Sequence, residues 1–148
     1  MIGVGDVAPD FEGLTSEGKT LHLSTLRGRT VVLYFYPKAG SYGCTRESIE
    51  FAHLYPSLRA RGADVVGVSV DDEAGQHRFA EECHLPFPLV ADHEKSVSRL
   101  YGVLGAFGLA KRVTFVIDPQ GRVSNVTTGM NPGPHVRAVS EELLADPT

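Results

Sequence analysis

Residues 30–36 read Thr30-Val-Val-Leu-Tyr-Phe-Tyr36, a continuous run of β-branched, aliphatic and aromatic side chains that Pro37 ends. Such a run is typical of a strand buried on both faces of a sheet. After the turn-rich segment 38–43, apolar residues recur at helical spacing from Cys44 until Arg61-Gly62 supplies a stop. The sequence therefore predicts a central strand, a tight loop and a helix in direct succession.

The chain after this helix repeats the strand-to-helix pattern. Val65–Val70 predicts a second buried strand, and Asp71-Asp72-Glu73 supplies capping acids for a helix that runs to about Cys83. Two strands at 113–117 and 122–128 are separated by a short turn, whose length favours a hairpin. Three further elements complete the prediction: an extended segment at 85–92, a short helix at 97–101 and a last helix that Pro134 opens.

The N-terminal part of the chain adds a small hairpin to this pattern. It spans Asp10 to Leu23, with turn residues at 16–18. Strands that alternate with helices, followed by a hairpin and a closing helix, indicate a mixed β-sheet with helices on both faces. This order is that of a thioredoxin-like α/β fold. Because no linker or repeat divides the chain, residues 1–148 are predicted to form a single domain.

Composition and charge exclude several classes of protein. Fourteen Lys+Arg against eighteen Asp+Glu give a formal net charge of -4, so no basic excess is available to neutralise phosphates. We therefore expect no nucleic acid and no membrane as a partner. A monomer or weak homodimer is also expected. The longest apolar run, about residues 30–37, is far shorter than the ~18 residues that span a bilayer. The N-terminus does not resemble a secretory signal, so a cytoplasmic location with reduced thiols is expected.

Cys44 is the residue with the clearest chemical environment. It lies where the loop after the central strand becomes a helix, so free backbone N–H groups and the helix dipole favour its thiolate form. The loop before it contains Pro37 and Ser41, which gives the spacing Pro-x-x-x-Ser-x-x-Cys. These residues predict a reactive thiol at the edge of the sheet.

The segment 34–47, Tyr-Phe-Tyr-Pro-Lys-Ala-Gly-Ser-Tyr-Gly-Cys-Thr-Arg-Glu, resembles the active-site segment of peroxiredoxins. The similarity is to the peroxiredoxin Q or bacterioferritin comigratory protein group in particular. Stretches 8–11, 85–92 and 112–118 also match in order, so the resemblance covers nearly the whole chain. It implies a thiol-dependent peroxidase that reduces hydrogen peroxide and organic hydroperoxides, with thioredoxin or a similar dithiol as reductant.

The resemblance also assigns roles to individual residues. It implies that Cys44 is the peroxidatic cysteine, Arg112 its cationic partner and Ser41 a hydroxyl partner. It further implies that Pro37 shields the pocket and that Glu47 helps orient the arginine. Guanidinium, hydroxyl and backbone N–H donors can stabilise a thiolate and hold peroxide oxygens, which agrees with these roles. No cofactor and no metal are expected, because the sulfur itself takes the oxygen and becomes a sulfenic acid.

The second thiol is where the sequence departs most from the family pattern. Ile49 stands where many members carry the resolving cysteine, and the resemblance implies that Cys83, on a later helix, takes this role. Both helices are expected to start at one sheet edge, and the second extends about 18 Å, so Cys83 would begin well away from Cys44. The ends of both helices would then have to open before a disulfide could form. A small buried apolar residue is the other interpretation of Cys83. Ser41 also replaces the usual Thr, which removes a methyl group that limits rotation of the hydroxyl.

Two alternatives stand beside the two-cysteine peroxidase. One is a one-cysteine peroxidase that uses an external thiol, and the other is a non-enzymatic redox-sensing or partner-binding module with a thioredoxin-like fold. The acids at 71–73 are interpreted as helix caps. Six histidines lack metal-ligand spacing and are predicted to lie on the surface: His22, His53, His77, His84, His93 and His135.

Overall fold

The computed structural model describes residues 1–145, so the last three residues of the predicted domain lie outside it. Within these residues, none of the helices is both long and apolar enough to cross a membrane. The strands are β1 (Glu12–Leu14), β2 (Thr20–His22), β3 (Thr30–Phe35), β4 (Ala63–Ser69), β5 (Leu89–Ala91), β6 (Val113–Ile117) and β7 (Val123–Thr128). The α-helices are α1 (Tyr42–Ala60), α2 (Glu73–Glu82), α3 (Ser96–Leu100) and α4 (Pro132–Leu143).

The central sheet has five strands in the spatial order β5-β4-β3-β6-β7. Strand β3 lies in its middle, parallel to β4 and antiparallel to β6, which confirms the prediction from its uninterrupted apolar run. Strands β6 and β7 form the predicted antiparallel hairpin, and β1 and β2 form the separate N-terminal hairpin. The predicted mixed sheet is therefore confirmed.

Alternate side chains of β3 point to the two faces of this sheet. Val32 and Tyr34 belong to a core that includes residues of α1, α2 and α4. Leu33 and Phe35 belong to a second core, formed with α3 and the N-terminal segment. Because both faces are covered, every residue from position 31 to position 35 is buried.

The parallel pairing of β3 with β4 places the starts of α1 and α2 at the same edge of the sheet. Helix α1 begins at Tyr42, so Cys44 lies in its first turn. Helix α2 has ten residues and is therefore about 15 Å long. Cys83 directly follows its last turn, and the two cysteines belong to opposite ends of the helical layer.

Two helix starts differ in detail from the sequence predictions. Helix α4 opens at Pro132 rather than Pro134, because the Asn131 side chain caps it and accepts from the Gly133 N–H at 3.1 Å. Of the acids interpreted as caps of α2, Asp72 is the N-cap, and its Oδ1 accepts from the Gly75 N–H at 2.8 Å. Asp71 is not the N-cap, and its Oδ2 accepts from the Ala39 N–H in the loop before α1.

The end of α2 has an unfavourable backbone conformation. His84 adopts the left-handed region with φ 51°, and Leu85 N–H donates across the turn to the Ala80 carbonyl at 3.0 Å. This closing motif normally has glycine at the left-handed position. A non-glycine residue there costs roughly 1–2 kcal/mol, so the last turn of α2 is weakly terminated.

Candidate active site

The loop that leaves β3 delivers its residues to the start of α1. Pro37 is half-buried, and Ser41 directly precedes the helix. The first hydrogen bond of the helix joins the Thr45 N–H to the Ser41 carbonyl at 2.8 Å. The N–H groups of residues 42–44 therefore have no acceptor within the helix. The Ser41 hydroxyl turns away from these groups and donates to the Lys38 carbonyl at 2.8 Å. Such helix-start donors suit an oxygen that gains negative charge.

The Cys44 thiol is buried in this first turn and contacts one cation. Arg112 Nη2 donates to Cys44 Sγ at 3.4 Å. The same guanidinium donates through Nη1 to Glu47 Oε1 at 2.7 Å and through Nε to the Met130 carbonyl at 2.9 Å. Because three of its nitrogens donate hydrogen bonds, Arg112 is held in one orientation, with its charged guanidinium against the Cys44 sulfur.

The sheet explains how residues so distant in sequence meet here. Val113, the first residue of β6, pairs with Phe35, the last residue of β3, so Arg112 reaches the edge at which the loop begins. Gly43, at the start of α1, allows the Arg112 guanidinium to come close to the helix. A Cβ atom at this position would lie 3.0 Å from Arg112 Nη2. The guanidinium therefore packs against the helix start because Gly43 has no side chain.

Glu47 lies one turn after Cys44 and is fully buried. Its Oε1 accepts from Arg112, whereas its Oε2 has no hydrogen-bond partner among residues 1–145 and lies 4.0 Å from His135 Nδ1. Burial raises the pKa of Glu47 to about 7, although the charge and hydrogen bond of Arg112 act in the opposite direction. This carboxyl group therefore titrates near neutral pH.

The prediction that all six histidines lie on the surface is wrong for His135. This residue is fully buried in α4, its Nε2 donates to the Gly129 carbonyl at 2.8 Å, and its Nδ1 is 2.9 Å from Thr114 Oγ1. Since Nε2 carries the proton in neutral imidazole, Nδ1 accepts from the Thr114 hydroxyl. Burial lowers the pKa of His135, which favours that neutral form. Its position four residues before Val139, on the apolar stripe of α4, is the signal that indicates burial.

Glu47 should make the stability of the protein depend on pH. Between its ordinary pKa of 4.5 and about 7, the folded chain keeps a proton that the unfolded chain releases. The free energy of unfolding should therefore fall by about 3 kcal/mol as pH rises through this window. Urea denaturation of wild type and Glu47→Gln across pH 4.5–7.5 measures the difference, because the amide does not titrate.

The control for this experiment is Glu50→Gln, since Glu50 is half-buried on the same helix and faces Arg46 at 3.5 Å. Glu50→Gln should keep most of the pH dependence of the free energy of unfolding that the wild type shows. Parallel pH profiles for wild type and Glu47→Gln would contradict the buried titration.

The structure brings three of the six predicted site residues into direct contact: Cys44, Glu47 and Arg112. Ser41 and Pro37 lie in the adjoining loop. Cys83 lies elsewhere, half-buried after α2 and packed against the edge of the core that contains Cys44. Partial burial and then Glu82 raise the pKa of the Cys83 thiol. Both cysteines are free thiols.

A sheet of thioredoxin-like order, with a buried helix-start thiol under a fixed guanidinium, defines a thiol-based redox protein. A model of the AhpC/TSA family matches residues 4–126, and the chain belongs to this family. The predicted peroxiredoxin resemblance is confirmed.

Individual relatives narrow the group. The chain is 37% identical over 149 residues to the putative peroxiredoxin bcp of Coxiella burnetii, which covers 96% of this chain and 99% of that one. It is 39% identical over 127 residues to the chloroplastic peroxiredoxin Q of Triticum aestivum, covering 84% of this chain and 58% of that one.

Solved structures agree with these relatives. The bacterioferritin comigratory protein of Xanthomonas campestris superimposes with a TM-score of 0.87 at 28% identity, over 97% of this chain and 96% of that one. That structure is described in terms of the protein's alkyl peroxide reduction activity. The thioredoxin-like fold and the similarity to the peroxiredoxin Q and bacterioferritin comigratory protein group are thus confirmed.

Proposed function

We propose that this chain is a thiol peroxidase that reduces hydrogen peroxide and organic hydroperoxides at Cys44. The observation that carries the proposal is the buried Cys44 Sγ with Arg112 Nη2 at 3.4 Å. Family membership supports it, as does the alkyl peroxide reduction described for the Xanthomonas campestris relative.

The first step is attack of the Cys44 thiolate on the terminal oxygen of the hydroperoxide. The S–O bond forms while the O–O bond breaks, so the sulfur is oxidised by two electrons to the sulfenic state and the peroxide is reduced. The proton of the hydroperoxide passes to the leaving oxygen, which departs as an alcohol, or as water when the substrate is hydrogen peroxide. No metal or organic cofactor takes part in this balance.

The surroundings of the thiol are suited to this step. Arg112 stabilises the thiolate and the charge on the leaving oxygen, because its guanidinium is always charged and cannot lose a proton. Glu47 holds the guanidinium in place at 2.7 Å. Ser41 and the N–H groups of residues 43 and 44 act as polar contacts for the peroxide, and Pro37 shields the approach to the sulfur.

The proposal extends to Cys83 as the resolving cysteine. Attack of its thiol on the Cys44 sulfenic acid forms a disulfide and releases water, and thioredoxin or a similar dithiol then reduces that disulfide. A disulfide needs Cα atoms within about 7 Å, so the end of α2 must open first. The left-handed His84 weakens this end. Opening would also expose the Cys83 thiol, whose pKa is raised by burial.

The cellular setting follows from the same chemistry. We propose a cytoplasmic location, because a reducing compartment keeps both cysteines as the free thiols that the reaction starts from. We further propose that residues 1–148 act as a single domain and as a monomer or weak homodimer. The single domain is supported by the two cores that pack on the opposite faces of one sheet.

Mixing the reduced protein with one equivalent of peroxide tests the proposal. Wild type should consume the peroxide in a fast second-order reaction in stopped flow, and Cys44→Ser should not. Mass spectrometry should show one added oxygen on Cys44 or, after resolution, a Cys44–Cys83 disulfide. Sluggish consumption by the wild type would instead support a redox-sensing module.

A further inference from the structure

One peptide group connects the loop before α1 with the turn before α2. The Ala39 N–H donates to Asp71 Oδ2 at 2.7 Å, and the Lys38 carbonyl of the same peptide accepts from Ser41 Oγ at 2.8 Å. A trans peptide is planar, so its N–H and C=O point in opposite directions and fixing one fixes the other. Asp71 therefore helps to determine where the Lys38 carbonyl points, together with the Ser41 backbone N–H, which donates to this carbonyl at 3.3 Å.

Asp71 is itself held firmly from the sheet. Ser69, fully buried at the end of β4, donates through Oγ to the same Oδ2 atom at 2.6 Å. Bonds to a carboxylate are short and strong, which agrees with both distances. The charge on Asp71 also polarises the Lys38–Ala39 peptide and makes its carbonyl a better acceptor for the Ser41 hydroxyl.

The direction of the Ser41 hydroxyl is unusual for its position. A serine that directly precedes a helix ordinarily accepts from the N–H of the second or third helical residue, here Gly43 or Cys44. Ser41 instead gives its only proton to Lys38 and leaves those two N–H groups to other acceptors. Since serine lacks the methyl group of threonine, its own rotamer preference does not enforce this direction.

We propose that Asp71 is a positioning residue for peroxide reduction. Through the Lys38–Ala39 peptide it holds the Ser41 hydroxyl away from the start of α1, which keeps the Gly43 and Cys44 N–H groups available to the peroxide. The Ser41 oxygen then has lone pairs that can accept from the O–H of a hydroperoxide. This inference rests on the proposed function, because these donors matter only if a peroxide binds beside Cys44.

Asp71→Ala should lower the second-order rate constant for peroxide reduction about tenfold, measured by stopped flow in a single turnover. Without the carboxylate, the Ser41 hydroxyl can rotate to cap α1 and compete with the peroxide for the two N–H groups. Asp71→Asn keeps an oxygen for the Ala39 N–H and should recover most of the rate. Asp71→Leu, which fills a similar space without an acceptor for the Ala39 N–H, should show the same loss and is measured if Asp71→Ala does not fold.

A double-mutant cycle with Ser41 separates positioning from general loosening of the fold. Ser41→Ala should slow the reaction by itself, and adding Asp71→Ala or Asp71→Asn should then cause no further loss, because no hydroxyl remains to cap the helix. Equal losses in the presence and absence of Ser41 would overturn the proposal.

The neighbouring Asp72 provides a matched control. Asp72→Ala removes the cap of α2, so it should destabilise that helix while it keeps the wild-type rate. A rate loss equal to that of Asp71→Ala would show a structural effect and overturn the inference. A wild type that fails to react rapidly with peroxide would instead contradict the proposed function itself, so the two failures are distinguishable.

Discussion

Arg112→Ala should slow the reaction of Cys44 with peroxide by about 10²–10³-fold. The guanidinium is the charged group in contact with the sulfur, and its other nitrogens are tied to Glu47 and to the Met130 carbonyl. Its position is therefore set before substrate arrives. Stopped-flow measurement of the first turnover isolates this effect from the later reduction of the disulfide.

Arg112→Ala also leaves the buried Glu47 carboxyl without its hydrogen-bond donor, which is expected to cost about 1–3 kcal/mol of stability. The double variant Arg112→Ala/Glu47→Gln should recover much of that stability but not the rate. Arg46→Ala is the surface control, because Arg46 is exposed on α1, the helix that carries Cys44. This variant should keep the wild-type rate. A rate within twofold of wild type for a folded Arg112→Ala protein would refute the role of Arg112.

Cys83→Ser should abolish sustained turnover with thioredoxin while leaving the first turnover intact. Without the second thiol, the Cys44 sulfenic acid has no intramolecular partner and no disulfide forms for the dithiol to reduce. A coupled assay with thioredoxin and its reductase measures sustained turnover, and stopped flow measures the first.

The matched control is Glu81→Gln, an exposed position near the same end of α2. It should retain both rates. Undiminished thioredoxin-supported turnover in Cys83→Ser would remove Cys83 from the mechanism and favour the one-cysteine route. Peptide mapping after one equivalent of peroxide gives an independent answer, since only the two-cysteine route produces a Cys44–Cys83 link.

The order of strands and helices could be predicted because each element carries its own local pattern. The run at 30–36 consists only of β-branched, aliphatic and aromatic residues, which is typical of a strand that is buried on both faces. The start of α4 was harder to predict, because Pro132 and Pro134 both suit a first helical turn. The side chain of Asn131 decides between them, and its capping bond forms only in the folded loop.

The site also contains residues that the sequence predicts and residues that it does not. Cys44 and Arg112 belong to motifs that are visible in the sequence, but the burial of His135 depends on how α4 packs against the sheet. The contact of Asp71 with Ala39 joins residues 32 positions apart and depends on the parallel pairing of β3 with β4. Local patterns show Asp71 only as one of three acids before a helix. Such contacts can be identified only from the folded structure.

Gly43 places stability and reactivity in opposition. Alanine suits a helix better than glycine by about 1 kcal/mol, so helix propensity alone favours Ala at this position. The added methyl group would meet Arg112 Nη2 at 3.0 Å and push the cation that faces the thiol. Helix propensity and the fit of the Arg112 guanidinium therefore make opposite demands at this one position.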